Sequence, residues 1–208
     1  MTKVSSDAAE QRILCAASRL FAERGFHTPL AEIARAARVP FAVLRRLGKR
    51  RLVERVIAHL FQGRWKPRWD VLLTNRKLTL ELRLVRFYSE YRGNIDRTGA
   101  RLWTRVGLTG LQASGNFSGT LEERILKPMV RELRREAGVP RALERPVTRS
   151  EIELAQMLHG AIAFPHTRSH VFGMRVYGRL GDLVAMMVRV WMPGAKAEIR
   201  RLNSASSG

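Results

Sequence analysis

Between Gln11 and Leu60 three short apolar stripes recur at helical spacing, each closed by a turn signal. Ile13, Leu14, Ala17, Leu20 and Phe21 fall at i, i+1, i+4, i+7 and i+8, which is one face of a helix. Gly25-Phe26 closes it, because glycine readily takes the left-handed conformation that ends a helix. Ile33, Ala34 and Ala37 form a second stripe, and Val43, Leu44 and Leu47 a third. Only Arg38-Val39 separates those two before Pro40. The spacing therefore predicts two short helices joined by a tight turn and packed on a longer first helix.

That arrangement is the helix-turn-helix of DNA-binding domains. Arg12-Ile13-Leu14, Ala16-Ala17, Leu20-Phe21, Glu23, Gly25-Phe26, Ile33-Ala34, Ala36-Ala37, Val39 and Leu44 resemble the N-terminal pattern of TetR-type transcriptional repressors. The family's following aromatic, Lys and Leu correspond here to Leu47, Arg50 and Val53. The resemblance covers about the first quarter of the chain and is a run of ordered positions, not one short motif. This chain also departs from the pattern. It is one residue shorter between Gly25 and Ile33, and one shorter between Leu44 and Leu47. Arg38 stands at the turn glycine, Pro40 at the capping Ser and Arg45 at the phosphate-contacting Tyr. Proline is tolerated where a helix starts, whereas Arg38 at a positive φ would be strained.

The charge balance points the same way. The chain carries 38 Lys+Arg against 18 Asp+Glu, a net +20, and such an excess favours polyanions, chiefly nucleic acid. It does not locate a site, because the surplus is spread along the whole chain. A length of 208 residues allows one or two domains with a sizeable core. No apolar run approaches the ~18 residues of a membrane span, and Met1–Gln11 lacks a signal-peptide core. A single cysteine, Cys15, excludes an internal disulfide framework and suits a cytoplasmic protein. Cys15 itself reads as a small buried thiol.

The remaining chain reads as helical throughout. Ser5-Ser6-Asp7 is expected to precede the first helix, with Asp7 and Glu10 at capping-box spacing. Leu52 to Phe61 marks a fourth helix running toward Pro67. Trp65 and Trp69, four apart within Arg64–Trp69, read as core or pocket wall more readily than as a stacking platform for nucleic acid. Further helices are expected over Leu80–Tyr91, with Gly93-Asn94 as a stop, over Ala100–Leu111, closed by Ser114–Gly119, and over Leu121–Ala137, interrupted at Pro128. Ile152 to about Phe164 and Met174 to Met192 follow, the last ending at Pro193-Gly194, with Asn203–Gly208 as a disordered polar end.

Catalytic patterns are thin. His166 and His170 have the i, i+4 spacing of a shared metal, with His159 nearby, but no carboxylate or cysteine falls at a ligand interval, so packing or surface roles are expected. Ser114-Gly115 and Ser118-Gly119 lack the context of a nucleophile elbow, and no phosphate loop is present. Neither an enzyme nor a cofactor is expected.

The sequence thus leads to an all-α protein. A three-helix helix-turn-helix domain spans 1–50, a helical ligand-binding and dimerisation domain 51–195, and a polar tail 196–208. Phe41, Ala42, Arg45 and Arg46 are the outward side chains of the third helix, which also begins at Pro40, while Val43, Leu44 and Leu47 face inward. Thr28, Lys49 and Arg50 are candidate phosphate contacts. The resemblance implies a homodimer on a palindromic double-stranded operator, repressing until a small-molecule effector releases it. Trp65, Trp69, Phe87, Tyr88 and Trp103 lie on helices that, by the same resemblance, surround the effector. The dimer is expected through Leu154, Met157, Leu158, Ile162, Leu183, Val184, Met187, Val190 and Trp191. A second reading stays open: a helical ligand-binding or protein-interaction module that kept the scaffold and lost specific DNA recognition.

Overall fold

In the computed structural model the described residues are 3–61, 65–93, 95–109, 119, 121–139 and 143–204, with side chains described from residue 7 and not for 61 and 93. The fold among them is all-helical: α1 (Lys3–Arg24), α2 (Leu30–Ala37), α3 (Phe41–Leu47), α4 (Lys49–Phe61), α5 (Pro67–Thr74), α6 (Leu80–Gly93), α7 (Arg97–Leu108), a π-helical turn (Glu122–Leu126) leading into α8 (Lys127–Glu136), α9 (Arg149–His170) and α10 (Leu180–Ser204). No helix among these residues is long and apolar enough to cross a membrane. The chain divides into two compact units, Met1–Trp65 with Ile95–Ser114, and Lys66–Asn94 with Gly115–Gly208.

The first unit is built on the stripe of α1. Ala17 and Phe21 are fully buried, with Ile13, Leu14 and Leu20 beside them. Against them pack Ile33, Ala34 and Ala37 of α2, Leu44 of α3, and Leu52, Val53, Val56, Ile57 and Leu60 of α4. Each buried Leu, Ile, Val or Phe among them contributes roughly 1.5–3 kcal/mol by leaving water. The compact unit therefore extends beyond residue 50, because α4 buries its apolar face in this core. α7 adds Leu102 and Val106 to it, and its Arg105 donates from Nε to the Ala22 carbonyl at 3.2 Å and from Nη2 to that of Glu23 at 3.1 Å. Those are carbonyls of the last turn of α1, which has no further turn to bond them. α7 starts at Arg97, earlier than expected, since Asp96 caps it by accepting from the Gly99 N–H at 2.7 Å.

Two other expectations for α1 change. The helix already runs from Lys3, so Asp7 is inside it and does not cap it. Cys15 is exposed, because it sits opposite the face that carries Ala17, Leu20 and Phe21.

The second unit is a bundle of α5, α6, α8, α9 and α10. Trp69, Leu80, Leu84, Phe87, Val130, Leu133, Ala155, Leu158, Val184, Val188 and Ile199 are among its most buried side chains. Two buried ion pairs cross it. Arg134 Nη2 lies 2.6 Å from Glu151 Oε2, the two side chains 0% and 1% exposed. Arg83 Nη1 lies 3.0 Å from Glu132 Oε2. Glu151 is also the N3 residue of a capping box with Thr148 at the start of α9. Arg134 donates as well to the carbonyls of Arg145 (2.9 Å) and Pro146 (3.0 Å), pinning the chain that enters α9.

Proline breaks less than its sequence position suggests. At Pro128 the chain changes from the π-helical turn to α-helix. α9 runs through Pro165 to His170, beyond the expected end at Phe164. Pro165 removes its own N–H, but its ring is buried, and the helix continues to His170, with Gly173 at φ 67° in the turn that follows. Residues 174–179 are not helical, and α10 starts at Leu180, then continues through Pro193-Gly194 to Ser204. Buried Ala195 and Ile199 hold that extension. Asn203 also donates to the Ile199 carbonyl at 2.6 Å. The stretch from residue 196 that reads as a polar tail is thus helical to Ser204. Of the remaining expectations, Asn94, Leu111, Ser114–Ser118 and the final four residues lie outside the described residues.

Candidate nucleic-acid interface

The turn between α2 and α3 is made by Arg38, at φ 54° and ψ 49°. It is the only non-glycine with positive φ among the described residues, and it stands where the sequence places the family's turn glycine. The Val39 N–H donates to the Ala34 carbonyl at 3.1 Å, and Arg12 Nε donates to that of Ala37 at 3.3 Å. These bonds hold the turn despite the strained residue. Pro40 is the N-cap of α3 and offers no side-chain cap. Gly48, at φ 79°, separates α3 from α4.

α3 meets the core through Leu44, fully buried, and Leu47, half-buried. Val43 is not an inward residue as expected: it is 40% exposed. A helix of 7 residues rests on the domain by a narrow line, and Val43, about 100° from Leu44, falls off that line. Phe41 (46% exposed), Ala42, Arg45 and Arg46 all face solvent. Ala42, Val43, Arg45 and Arg46 together line one open concavity. Neither arginine forms an ion pair or hydrogen bond among the described residues. Other arginines of this unit are committed: Arg24 pairs with Glu32 and Arg55 with Glu10.

The three flanking residues differ from one another. Thr28 is buried, and its hydroxyl donates to the Gly25 carbonyl at 2.8 Å. The Lys49 ammonium donates to the Thr28 carbonyl and lies over the Phe21 ring, 5.2 Å from its centroid. Burial draws the Lys49 pKa below its ordinary value. Arg50 is 92% exposed and pairs with Glu54 across one turn at 3.0 Å.

The five aromatics singled out in the sequence are divided between the units. Trp65 and Trp103 belong to the first, Trp103 being 44% exposed on α7. Trp65 precedes α5 and is not on a helix, so it shares no helical face with Trp69. Trp69, Phe87 and Tyr88 belong to the second unit and are buried together. Trp69 meets Phe87 edge to face at 5.7 Å and donates its indole N–H to Glu90 Oε2 at 3.0 Å. Tyr91 and His159, absent from the sequence-based set, complete the cluster. Tyr91 stacks on Phe87 at 5.4 Å, and the Tyr88 hydroxyl lies 3.4 Å from His159 Nδ1. The signal for Tyr91 was its i, i+3 and i, i+4 spacing to Tyr88 and Phe87 on α6; His159, on α9, had none of that kind. Burial raises the Tyr91 phenol to about 12 and lowers the His159 imidazole to about 4. His166 and His170 stack at 5.7 Å. Among the described residues no group of three His, Cys, Asp or Glu is placed to hold a metal.

Of the residues expected at the dimer face, Leu154, Leu158, Ile162 and Val184 are buried within the chain itself, as α9 and α10 pack with α6 and α8. Met157 (65% exposed) and Val190 (73%) remain outside, with Phe164 and Met186 on the same two helices.

Residues 13–44 match the model of the N-terminal domain of bacterial regulatory proteins of the tetR family. The fold is similar to that of a crystal structure from Mesorhizobium loti described as a TetR-family transcriptional regulator. The TM-score is 0.60 and the identity 14%, over 93% of this chain and 98% of that one. No curated protein matches the chain. The first domain thus matches the tetR family model over residues 13–44, and the fold is similar to that of a TetR-family regulator.

Proposed function

We propose that this protein is a DNA-binding regulator, a cytoplasmic, homodimeric repressor that places α3 in the major groove of a palindromic operator and leaves it when a small effector binds. The observation that carries the reading is the solvent face of α3, where Arg45 and Arg46 stand with Phe41 and Ala42, free of internal partners. An uncommitted arginine pair on a helix anchored by Leu44 suits phosphate and base-edge contacts. Pro40 and Arg50 flank that face. A dimer is supported by the exposed apolar side chains of α9 and α10, Met157, Phe164, Met186 and Val190, since a patch of this kind is costly to leave in water.

The effector reading is supported by the aromatic cluster of the second unit, Trp69, Phe87 and Tyr88 with Tyr91 and His159; Trp65 and Trp103 belong to the first unit. An effector releases DNA only if it binds the non-spanning state of the dimer more tightly than the spanning one.

Two measurements test the reading. Sequencing DNA fragments that the protein enriches from its own genome should return a palindromic site, and mass in solution at micromolar concentration should be that of a dimer. Random fragments, or a monomer in moderate salt, would favour a scaffold that no longer reads an operator.

A further inference from the structure

Arg92, at the end of α6, is only 3% exposed. Its Nε and Nη1 are buried and have no hydrogen-bond partner among the described residues. A charged guanidinium withdrawn from water without an acceptor is among the costlier features a fold can hold. Burial lowers its pKa only to about 10, so it stays charged at neutral pH.

α9 brings a second orphan to the same place. The His166 ring lies close to the Arg92 backbone, and His166 Nε2 is buried without a partner among the described residues. Burial, and then the neighbouring Arg92 charge, hold this imidazole at about 4, so it is neutral at pH 7. Two residues on, Arg168 Nε is likewise buried and unpartnered. The polar needs are specific. Arg92 lacks an anionic acceptor, and the unpartnered Nε2 of a neutral His166 can donate or accept one hydrogen bond according to its tautomer.

The spacing along both helices extends the site. Tyr88 is four residues before Arg92 on α6, and His159 seven before His166 on α9, so each pair shares a helical face. The Tyr88 and His159 pair thus lies one to two turns from the charged Arg92 and the neutral His166. One end of this stripe is aromatic and the other lacks an anion.

We propose that Arg92 and His166 form the anchoring end of the effector site, and that the effector is a small organic carboxylate whose aromatic or apolar body lies toward Tyr88, Tyr91 and His159. The proposal deepens the effector reading and rests on it for its consequence at DNA, but the orphaned guanidinium stands by itself. The carboxylate supplies the acceptor that Arg92 lacks, in a setting where a charge-assisted hydrogen bond is strongest.

The test uses the full chain with benzoate as probe, its neutral isostere benzamide, and sodium chloride as the ionic control. Benzoate at about 10 mM should raise Tm by about 3 °C, and benzamide and chloride should not. Arg92→Met should unfold no earlier than the wild type without ligand, because it removes an unpaired buried charge, and should lose the benzoate shift. Arg92→Lys, which keeps the charge without the planar fork, should keep a reduced shift and guards against a Met variant that fails to fold. An equal shift with benzamide, a benzoate shift that survives in Arg92→Met, or no shift at all would overturn the site. DNA binding separates the two ideas. If benzoate acts through Arg92 yet leaves DNA binding unchanged, the carboxylate site stands and release by effector fails. If a neutral compound releases DNA from Arg92→Met as from the wild type, release stands and the carboxylate site fails.

Discussion

The Lys49 ammonium donates to the backbone carbonyl of Thr28, joining the start of α4 to the segment that enters α2. With the Phe21 ring beneath it, the lysine acts as a brace inside the helix-turn-helix domain. Both residues read from sequence as phosphate contacts, and the structure gives each an internal partner. Lys49→Ala should therefore lower stability by about 1 kcal/mol through the lost hydrogen bond. It should leave the salt dependence of DNA binding nearly unchanged. Arg50→Ala, at an exposed side chain, should instead reduce the salt slope by about one. Thermal unfolding and binding at three salt concentrations separate the two roles.

Arg38 holds a left-handed conformation that costs a side-chain-bearing residue about 1–2 kcal/mol. Glycine avoids that cost but adds freedom to the unfolded chain, roughly 0.5–1 kcal/mol. Arg38→Gly should therefore be neutral to about 1 kcal/mol more stable in denaturant unfolding, whereas Arg38→Val should be clearly less stable. A destabilised glycine variant would mean that the Arg38 side chain contributes contacts of its own.

Acid should weaken the second unit in two steps. His159, held neutral by burial with its pKa near 4 against 6.5 ordinarily, takes up a proton more readily unfolded than folded. Its contribution is present above pH 6.5 and is lost as pH falls from there toward 4, on the order of 3 kcal/mol in all. Burial alone would raise the Glu151 carboxyl, but hydrogen bonds from Arg134 and Thr148 outweigh it and hold it near 2. Its contribution, of similar size, is lost between about pH 4.5 and 2. His159→Gln should shrink the first step of a stability–pH curve, to which His166, also held at about 4, contributes the rest, and leave the second. Glu151→Gln should remove the second and cost about 3–5 kcal/mol at pH 7, because Arg134 is then left buried without its counter-charge. A curve with no change between pH 6.5 and 5 would show that His159 is solvated in solution.

What could be read from the sequence was local. The stripes Ile13 to Phe21, Ile33 to Ala37 and Leu44 to Leu47 gave the first three helices, because each lies between turn signals and buries one face. Val43 escaped that reading because a helix this short touches the domain along a line that periodicity cannot fix to one residue. Pro165 and Pro193 read as stops, yet buried neighbours on α9 and α10 carry both helices through them. Arg92 carried no signal at all. A burial that isolates one arginine from every carboxylate is a property of packed helices and has no local pattern.

Arg45 and Arg46 carry the central claim. Neighbours on a helix point about 100° apart, so the two should not do the same work. Arg45, four residues after Phe41, is expected on a phosphate; Arg46 is expected in the groove, where a bidentate contact to guanine gives ~1–3 kcal/mol of discrimination.

The most direct test is a competition titration in which the enriched palindromic fragment, and variants of it changed one base pair at a time, compete with excess random DNA for the wild type, Arg45→Ala and Arg46→Ala. The wild type should retain the palindrome. Arg45→Ala should weaken binding to palindrome and random DNA alike and reduce the salt slope by about one, and Arg46→Ala should level the preference among the variants. If neither substitution alters affinity or selectivity, α3 does not read DNA, and the better account is a helical module that kept the scaffold without specific DNA recognition.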